Sequence, residues 1–257
     1  MKTNKDKTYV KIGNGEKTMV MLPGLAPKCT LGSADMIAYN YRIFSDYSIY
    51  LFDDRNNVKS GYTIRQRAED VATEMQSIGL SDACVFGASM GGMVGQYLAI
   101  DHPELVKCMV LSATCAEPEP KASELVSKWR ALAESGRDEE LVRQGISDIY
   151  SPANVAMYGD RLVEAIGNIS SEELEKFVYL IDAISGFNSM NELEKISCPV
   201  LLIGSEGDKV LGPDGVVKMH GKIKNSELYL YGSEYGHGVY DEAPDHRERI
   251  LRFFEQF

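Results

Sequence analysis

Residues 83–100, ACVFGASMGGMVGQYLAI, decide the fold of this chain. They predict a buried strand from Ala83 to Phe86, a Gly-x-Ser-x-Gly turn from Gly87 to Gly91, and a helix from Met90 to Ile100. This arrangement is typical of a serine whose hydroxyl stands exposed above a parallel sheet, at the positive end of a helix dipole. The alternative is a glycine-rich turn in which Ser89 only caps the helix. The position between strand and helix favours a nucleophile.

Strand-like and helical segments alternate around this motif. A helix is predicted from Thr63 to Ile78, because Thr63 and Gln66 have capping-box spacing and Gly79 stands where a C-cap is expected. The neighbouring predicted strands are short apolar runs, at Lys7 to Ile12, Thr18 to Leu22, Ser48 to Phe52 and Val106 to Leu111. The alternation predicts an α/β fold in which a mostly parallel central sheet is flanked by helices.

The pattern changes near Ala116, where about 70 residues follow with helical period and little strand character. Ser170 and Glu173 repeat the capping-box spacing and predict a helix that ends near Ile184. The alternation then resumes in four elements, namely strands at Val200 to Ile203 and Glu227 to Tyr231, a helix after Pro213, and a helix from Pro244 to Phe257. We therefore predict a core of residues 1–115 and 191–257, with residues 116–190 inserted as a helical lid.

A catalytic serine on such a fold needs an acid and a histidine base, in the chain order serine, acid, histidine. Three of the four histidines have simpler explanations: His102 caps the serine helix, His220 ends a helix, and His246 lies in a charged helical turn. His237 stands between two glycines in the loop after a predicted strand, where this architecture collects catalytic groups. We predict that His237 is the base.

The acid is expected in the loop after the preceding strand, Gly204-Ser205-Glu206-Gly207-Asp208. Asp208 is our prediction, and Glu206 and Asp214 are the alternatives. Asp214 is also explained as a first-turn helix carboxylate next to Pro213. The acid would hold the imidazole of the base in the correct tautomer and stabilise its protonated form.

Acyl transfer also needs two donors for the oxyanion of its tetrahedral intermediate. We predict the backbone N–H of Met90, directly after the serine, and the backbone N–H of Leu25 in the loop Leu22-Pro23-Gly24-Leu25. Because these donors are backbone groups, the side chains at the two positions need not be polar.

The chain of 257 residues is acidic, with a net charge of −11 and a pI of about 4.9, so nucleic acid is not an expected partner. Met1 to Lys7 is polar and no long apolar run occurs, which predicts neither a secretory signal nor a membrane span. Five cysteines without a C-x-x-C pair favour a reduced, cytoplasmic setting. No metal-ligand cluster or nucleotide-binding glycine motif is present, so no cofactor is expected. The oligomeric state is open.

With these segments in place, the chain resembles the lid-bearing serine hydrolases of the α/β-hydrolase superfamily over nearly its whole length. Five segments carry the resemblance: Leu22 to Leu25, Asp53-Asp54-Arg55, Gly87 to Gly92, Gly204 to Asp208, and Gly236 to Glu242. The run Ser89 to Gln96 is similar to the corresponding run of 3-oxoadipate enol-lactonases and related small carboxylesterases. The resemblance implies an α/β-hydrolase fold with the helical lid inserted after the sixth strand.

Three positions limit this resemblance. Pro23 stands where many members carry histidine, and Met90 stands where proline iminopeptidases typically carry tryptophan. Ser89 argues against the relatives that cleave haloalkanes or epoxides, which are expected to carry aspartate there. Asp53 and Arg55 are expected to form a structural pair beside the serine turn and to take no part in the chemistry.

The leading hypothesis is hydrolysis of a small carboxylic ester or lactone through an acyl-enzyme. One alternative is C–C bond hydrolysis of a diketone-like substrate by the same three residues, and another is a sensor that binds a small molecule without turnover. The candidates for lining the substrate pocket are apolar or aromatic residues of the lid region, each of which has ordinary core packing as its alternative: Trp129, Met157, Tyr158, Phe187 and Met190.

Overall fold

The computed structural model describes residues 8–54 and 57–257. Two sequence predictions fall outside these ranges. The absence of a secretory signal rests on Met1 to Lys7, and the structural pair with Asp53 rests on Arg55. Both stay predictions.

A seven-stranded sheet forms the centre of the described residues. Its strands are β1 (Tyr9–Ile12), β2 (Lys17–Leu22), β3 (Tyr47–Phe52), β4 (Ala83–Ala88), β5 (Val106–Ser112), β6 (Val200–Ser205) and β7 (Ser226–Tyr231). The order is β1-β3-β2-β4-β5-β6-β7, and β1 alone among them pairs antiparallel with its neighbour. Val20 and Leu22 pack into the core on one face, whereas Met19 and Met21 pack on the other. The sheet is therefore buried on both faces, as a parallel sheet requires, and the predicted fold class is confirmed.

Helices flank this sheet. Among the described residues they are α1 (Ala34–Asn40), α2 (Ile64–Ser77), α3 (Met90–Asp101), α4 (Pro120–Glu134), α5 (Asp138–Ile149), α6 (Pro152–Ile166), α7 (Ser171–Ser185), α8 (Asp214–His220), α9 (Val239–Glu242) and α10 (His246–Phe254). Both predicted capping boxes form, at the starts of α2 and α7. The sequence pattern missed α1 and the short α9. No helix in the described ranges has the length and apolar character that crossing a membrane requires.

Four helices, α4 to α7, lie between β5 and β6 in the chain. The predicted insertion point after the sixth strand is wrong for the described residues, because five strands precede these helices. The sequence itself contains five strand-like runs before residue 116, in agreement with the five strands of the structure. The expectation of a sixth strand before the lid came from the family resemblance alone. The division into a core and a lid of residues 116–190 stays a prediction.

The parallel strands bring distant parts of the chain to one edge of the sheet. Leu22 of β2 is in register with Gly87 of β4, and Ala88 of β4 is in register with Ser112 of β5. The loops that follow β2, β4, β6 and β7 consequently leave the sheet at the same edge. This edge carries the predicted site residues, as expected for an open parallel sheet.

Candidate active site

Ser89 stands between β4 and α3 in a backbone conformation that few residues other than glycine adopt, with φ 52° and ψ −120°. A hydrogen bond from its N–H to the carbonyl oxygen of Ser112 (2.9 Å) holds it there. The turn also needs Gly91, since a Cβ at that position would lie 1.9 Å from the carbonyl oxygen of Leu22. The strain at Ser89 is thus maintained by tightly packed neighbours, a situation typical of functional sites.

Ser89, His237 and Asp208 form one hydrogen-bonded chain. His237 Nε2 is 2.9 Å from Ser89 Oγ, and His237 Nδ1 is 2.8 Å from Asp208 Oδ2. A carboxylate accepts but does not donate, so Nδ1 carries the proton toward Asp208 and Nε2 is left to accept from the serine hydroxyl. Both His237 and Asp208 are buried, at 2% and 7% exposure. This arrangement is able to take up the serine proton.

The second oxygen of Asp208 is also satisfied. Asp208 Oδ1 accepts hydrogen bonds from the backbone N–H groups of Val210 (2.8 Å) and Leu211 (3.0 Å). Burial alone would raise the pKa of Asp208, but the neighbouring His237 and these two N–H groups outweigh burial and hold the pKa below its ordinary value. The carboxylate therefore stays charged at neutral pH, as a partner for a protonated imidazole must.

The two alternative acids lie elsewhere. Glu206 is exposed in the same loop, and Asp214 is exposed at the first position of α8. Neither side chain contacts the histidine among the described hydrogen bonds. The structure brings Asp208, and not its two rivals, to His237.

Hydrogen bonds from the residues on either side of His237 hold its loop in place. Gly236 donates its N–H to Glu242 Oε2 (2.6 Å), and Gly238 donates its N–H to the carbonyl oxygen of Ile149 (2.8 Å), the last residue of α5. Glu242 Oε1 also accepts from the N–H of Ser151, the N-cap of α6 (2.7 Å). The histidine is therefore positioned jointly by its own loop and by the helical segment.

The remaining histidines lie away from Ser89 Oγ, and one is unexpected. His102 caps α3 beside Glu69, and His220 ends α8, both as predicted from the sequence. His246 is fully buried beneath the sheet, with Nε2 3.0 Å from Ser112 Oγ. The charged side chains that follow it in the sequence hid this position, because α10 directs its first residue inward.

The buried His246 predicts a pH-dependent stability. Burial lowers its pKa to about 3, and Arg247 and Arg249 add to this effect, so the folded protein holds it neutral. The unfolded chain takes up a proton below about pH 6.5, so the free energy of unfolding falls between about pH 6.5 and 3, by up to about 1.4 kcal/mol per pH unit. We expect His246→Gln to flatten this slope in urea titrations at pH 6.5 and 4.5. Equal slopes in both proteins would contradict the assignment.

The predicted oxyanion donors belong to residues next to the serine, namely Met90, which follows it in the chain, and Leu25, whose loop lies against it. The N–H groups of Leu25 and Met90 have no acceptor among the described residues. The loop of Leu25 lies against the serine, since a Cβ at Gly24 would be 3.2 Å from Ser89 Cβ and 3.8 Å from Ser89 Oγ. Two backbone donors next to the serine are thus without an acceptor in the described ranges, and their role as oxyanion donors stays a prediction.

A small chamber of about 30 Å³ lies over the serine, with Gly24, Leu25, Ser89, Trp129, His237 and Tyr240 in its wall. A second cavity of about 220 Å³ lies next to it beneath α5. The two share four lining residues, Leu25, Trp129, Ile149 and Tyr240. Among these four, Trp129 was predicted from the sequence as a pocket residue and Leu25 as an oxyanion donor. Ile149 and Tyr240 were not predicted, because no motif marks them.

The five predicted pocket residues have different locations. Trp129 lines both cavities and donates from Nε1 to Asp148 Oδ2 (2.8 Å). Met157 and Tyr158 are 66% and 43% exposed on α6, away from both cavities. Their prediction as pocket residues is corrected, because helical period indicates an apolar face and not which neighbour that face meets.

Phe187 and Met190 also lie outside the two cavities. Phe187 is buried with its ring edge-on to Tyr97, at 5.4 Å between ring centroids. Met190 is half-buried against the main core. Both positions are corrected from pocket lining to core packing, which was the alternative open to each of them.

A model of the alpha/beta hydrolase fold family matches residues 12–244 of the chain. The chain is 26% identical over 218 residues to "Putative carbamate hydrolase RutD" of Pseudomonas syringae pv. syringae (strain B728a), covering 81% of this chain and 83% of the relative. It is 24% identical to 2-hydroxy-6-oxononadienedioate/2-hydroxy-6-oxononatrienedioate hydrolase of a Pseudomonas species (94% and 89% covered). It is 27% identical to 3-oxoadipate enol-lactonase 2 of Acinetobacter baylyi (64% and 62% covered).

The fold also matches solved structures. MGS-M2, an alpha/beta hydrolase enzyme from a Medee basin deep-sea metagenome library, superposes with a TM-score of 0.85 at 21% sequence identity. The match covers 97% of this chain and 94% of that protein. At this identity the likeness concerns the fold alone.

Proposed function

Since the chain belongs to the α/β-hydrolase fold family, we propose that it is a serine hydrolase that cleaves a small carboxylic ester or lactone through an acyl-enzyme. The observation that carries this proposal is the hydrogen-bonded chain from Asp208 through His237 to Ser89. Such a chain activates a hydroxyl that is otherwise a poor nucleophile. In this proposal Ser89 is the nucleophile, His237 the base and Asp208 the acid that orients it.

The proposed reaction has two halves. Ser89 Oγ attacks the carbonyl carbon while its proton passes to His237 Nε2. The N–H groups of Leu25 and Met90 donate hydrogen bonds to the carbonyl oxygen as it becomes negatively charged. The C–O bond to the alcohol then breaks, and His237 returns the proton to the departing oxygen. Water attacks the acyl-enzyme, its proton passes to His237, and the bond to Ser89 breaks as Oγ regains a proton.

We further propose that the helices of residues 116–190 act as a lid over the site. Several contacts join this segment to the loops around Ser89. Lys28 Nζ, three residues after Leu25, donates to the carbonyl oxygen of Ile166 at the end of α6 (3.0 Å). Trp129 of α4 lies in the wall of the chamber. A lid in this place would exclude water from the acylation step and select the substrate.

C–C bond hydrolysis is the second candidate. It is favoured by the likeness to a relative named as a 2-hydroxy-6-oxononadienedioate hydrolase, which extends over 94% of this chain. The same serine, histidine and aspartate would serve both reactions. Ring-cleavage diketones and p-nitrophenyl esters assayed side by side would distinguish the two candidates by the ratio of kcat/KM.

The proposal is tested by labelling with a fluorophosphonate and mapping the adduct by mass spectrometry, beside p-nitrophenyl ester assays. We expect a single adduct on Ser89 that is lost in His237→Ala, because the hydroxyl reacts only when a base removes its proton. His220→Ala is the matched control, since that histidine ends α8 and is not part of the chamber lining. A folded protein that neither reacts with the probe nor turns over any ester would be a binding protein instead of a hydrolase.

A further inference from the structure

The cavity of about 220 Å³ beneath α5 is apolar and adjoins the chamber over Ser89. Leu25, Trp129, Ile149 and Tyr240 belong to the walls of both spaces, so a group in the cavity would reach the serine past these four side chains. No lysine or arginine occurs among the described residues that line the cavity. The cavity is thus placed to take part of a substrate. Lys28, the residue after Pro27 of the lining, borders this cavity, but its Nζ donates to the carbonyl oxygens of Ile166 (3.0 Å) and Asn168 (3.1 Å), so the lining itself offers an ionised group no opposite charge.

Gly145 lies in this lining, in the interior of α5. A glycine inside a helix costs about 1 kcal/mol of stability relative to alanine. Its φ is not among the positive values of the described glycines, so backbone conformation does not require it. Close packing does not require it either, because a Cβ at this position meets nothing within 4 Å. What the glycine preserves is open space in the wall of the cavity.

The surroundings disfavour an anionic group. Tyr150, in the lining, donates its hydroxyl to Asp241 Oδ2 (3.2 Å). A second carboxylate lies close by, since Glu242 Oε1 accepts from the N–H of Ser151, the residue after Tyr150 (2.7 Å). A carboxylate in an apolar space without a cation loses its hydration and gains no compensating partner. A hydrocarbon group gains free energy in the same space.

We propose that this cavity binds the hydrocarbon part of an uncharged ester or lactone, and that Gly145 sets the length of chain it accepts. The proposal rests on the proposed hydrolase function and names the substrate class of that site. An apolar cavity of about 150 Å³ holds a benzene ring, so a cavity of this size accommodates a chain of about six to eight carbons. Esters whose acyl group ends in a carboxylate are poor substrates for such a site.

The test compares kcat/KM for p-nitrophenyl octanoate and p-nitrophenyl acetate in wild type, Gly145→Leu and Gly159→Leu. In Gly145→Leu the new side chain fills the cavity, so we expect the octanoate-to-acetate ratio to fall at least about tenfold. Gly159→Leu is the matched control: it lies inside α6, outside both linings, and its Cβ meets only Val155 at 3.5 Å. Its ratio should equal that of wild type.

A second comparison tests charge. Wild type should hydrolyse p-nitrophenyl hexanoate at least about tenfold more efficiently than the mono-p-nitrophenyl ester of adipic acid, which has the same chain length and a terminal carboxylate. Equal kcat/KM for the two esters would overturn the inference of an uncharged substrate. An unchanged octanoate-to-acetate ratio in Gly145→Leu, with Ser89 still labelled by a fluorophosphonate, would overturn the role of Gly145 and leave the hydrolase function standing.

Binding without turnover separates the cavity from the chemistry. Octanamide, a neutral probe of the same chain length, should raise the Tm of Ser89→Ala but not that of Ser89→Ala/Gly145→Leu. This result supports the cavity even if wild type hydrolyses no ester, in which case the proposed function fails alone. No shift in either protein would overturn the cavity as a binding site.

Discussion

Replacing Ser89 with alanine is expected to lower kcat for a p-nitrophenyl ester by about 10⁴- to 10⁶-fold, because no other group at the site forms the acyl-enzyme. The fold should persist. Alanine keeps the Cβ at this position, and the backbone hydrogen bond from residue 89 to the carbonyl oxygen of Ser112 is unaffected. Only the hydrogen bond between Oγ and His237 Nε2 is lost.

The measurement is a steady-state assay at saturating ester, with urea denaturation of both proteins as the check on folding. Ser127→Ala is the matched control, since Ser127 is an exposed serine on α4 whose hydroxyl donates to the carbonyl oxygen of Ser123 (2.7 Å). It should retain wild-type kcat. If Ser89→Ala keeps more than about a tenth of wild-type kcat, the serine is not the nucleophile.

Asp208→Asn should lower kcat by about 10⁴-fold while leaving the fold intact. The amide of asparagine donates a hydrogen bond toward His237 Nδ1 in place of the acceptor that stands there now at 2.8 Å. The proton of the imidazole then moves to Nε2, which loses the lone pair that accepts from Ser89 Oγ. The base is therefore in the wrong tautomer, although each ring atom keeps its place.

Glu206→Gln and Asp214→Asn are the controls for this prediction, because both carboxylates were alternatives for the acid and both are exposed. Each should leave kcat unchanged. A large loss in either variant, with Asp208→Asn active, would reassign the acid. The rate of fluorophosphonate labelling at Ser89 gives an independent readout, since it depends on the base and needs no knowledge of the natural substrate.

Much of the fold could be predicted from the sequence, because helix caps and strand-like runs are patterns of residues that are close together in the chain. Capping boxes at Thr63 and Ser170 predicted where two helices begin, and both form as expected. The apolar runs of β2 to β7 predicted strands to within a few residues of their ends. The triad candidates were accessible for a related reason: a serine in a glycine turn and a histidine between glycines stand in loops after strands, and parallel strands bring such loops to one edge.

The residues that line the pocket could not be predicted from the sequence in the same way. Met157 and Tyr158 match the helical period as well as Trp129 does, yet they are exposed while Trp129 lines the chamber. A period identifies the apolar face of a helix, whereas the partner of that face depends on how α4 to α7 pack on the sheet. The buried His246 was missed for the same reason, since the charged residues around it in the chain do not show that its own side chain points into the core.

The sequence by itself determined the parallel sheet, the turn at Ser89 and a short list of partners for it, because strand and turn chemistry depends on residues adjacent in the chain. The tertiary structure decided that Asp208 and not Glu206 reaches His237. It also decided that Gly145, a residue without any motif, leaves open space beside the site. These outcomes depend on distances between residues far apart in the chain, which only the packing of the helices against the sheet sets.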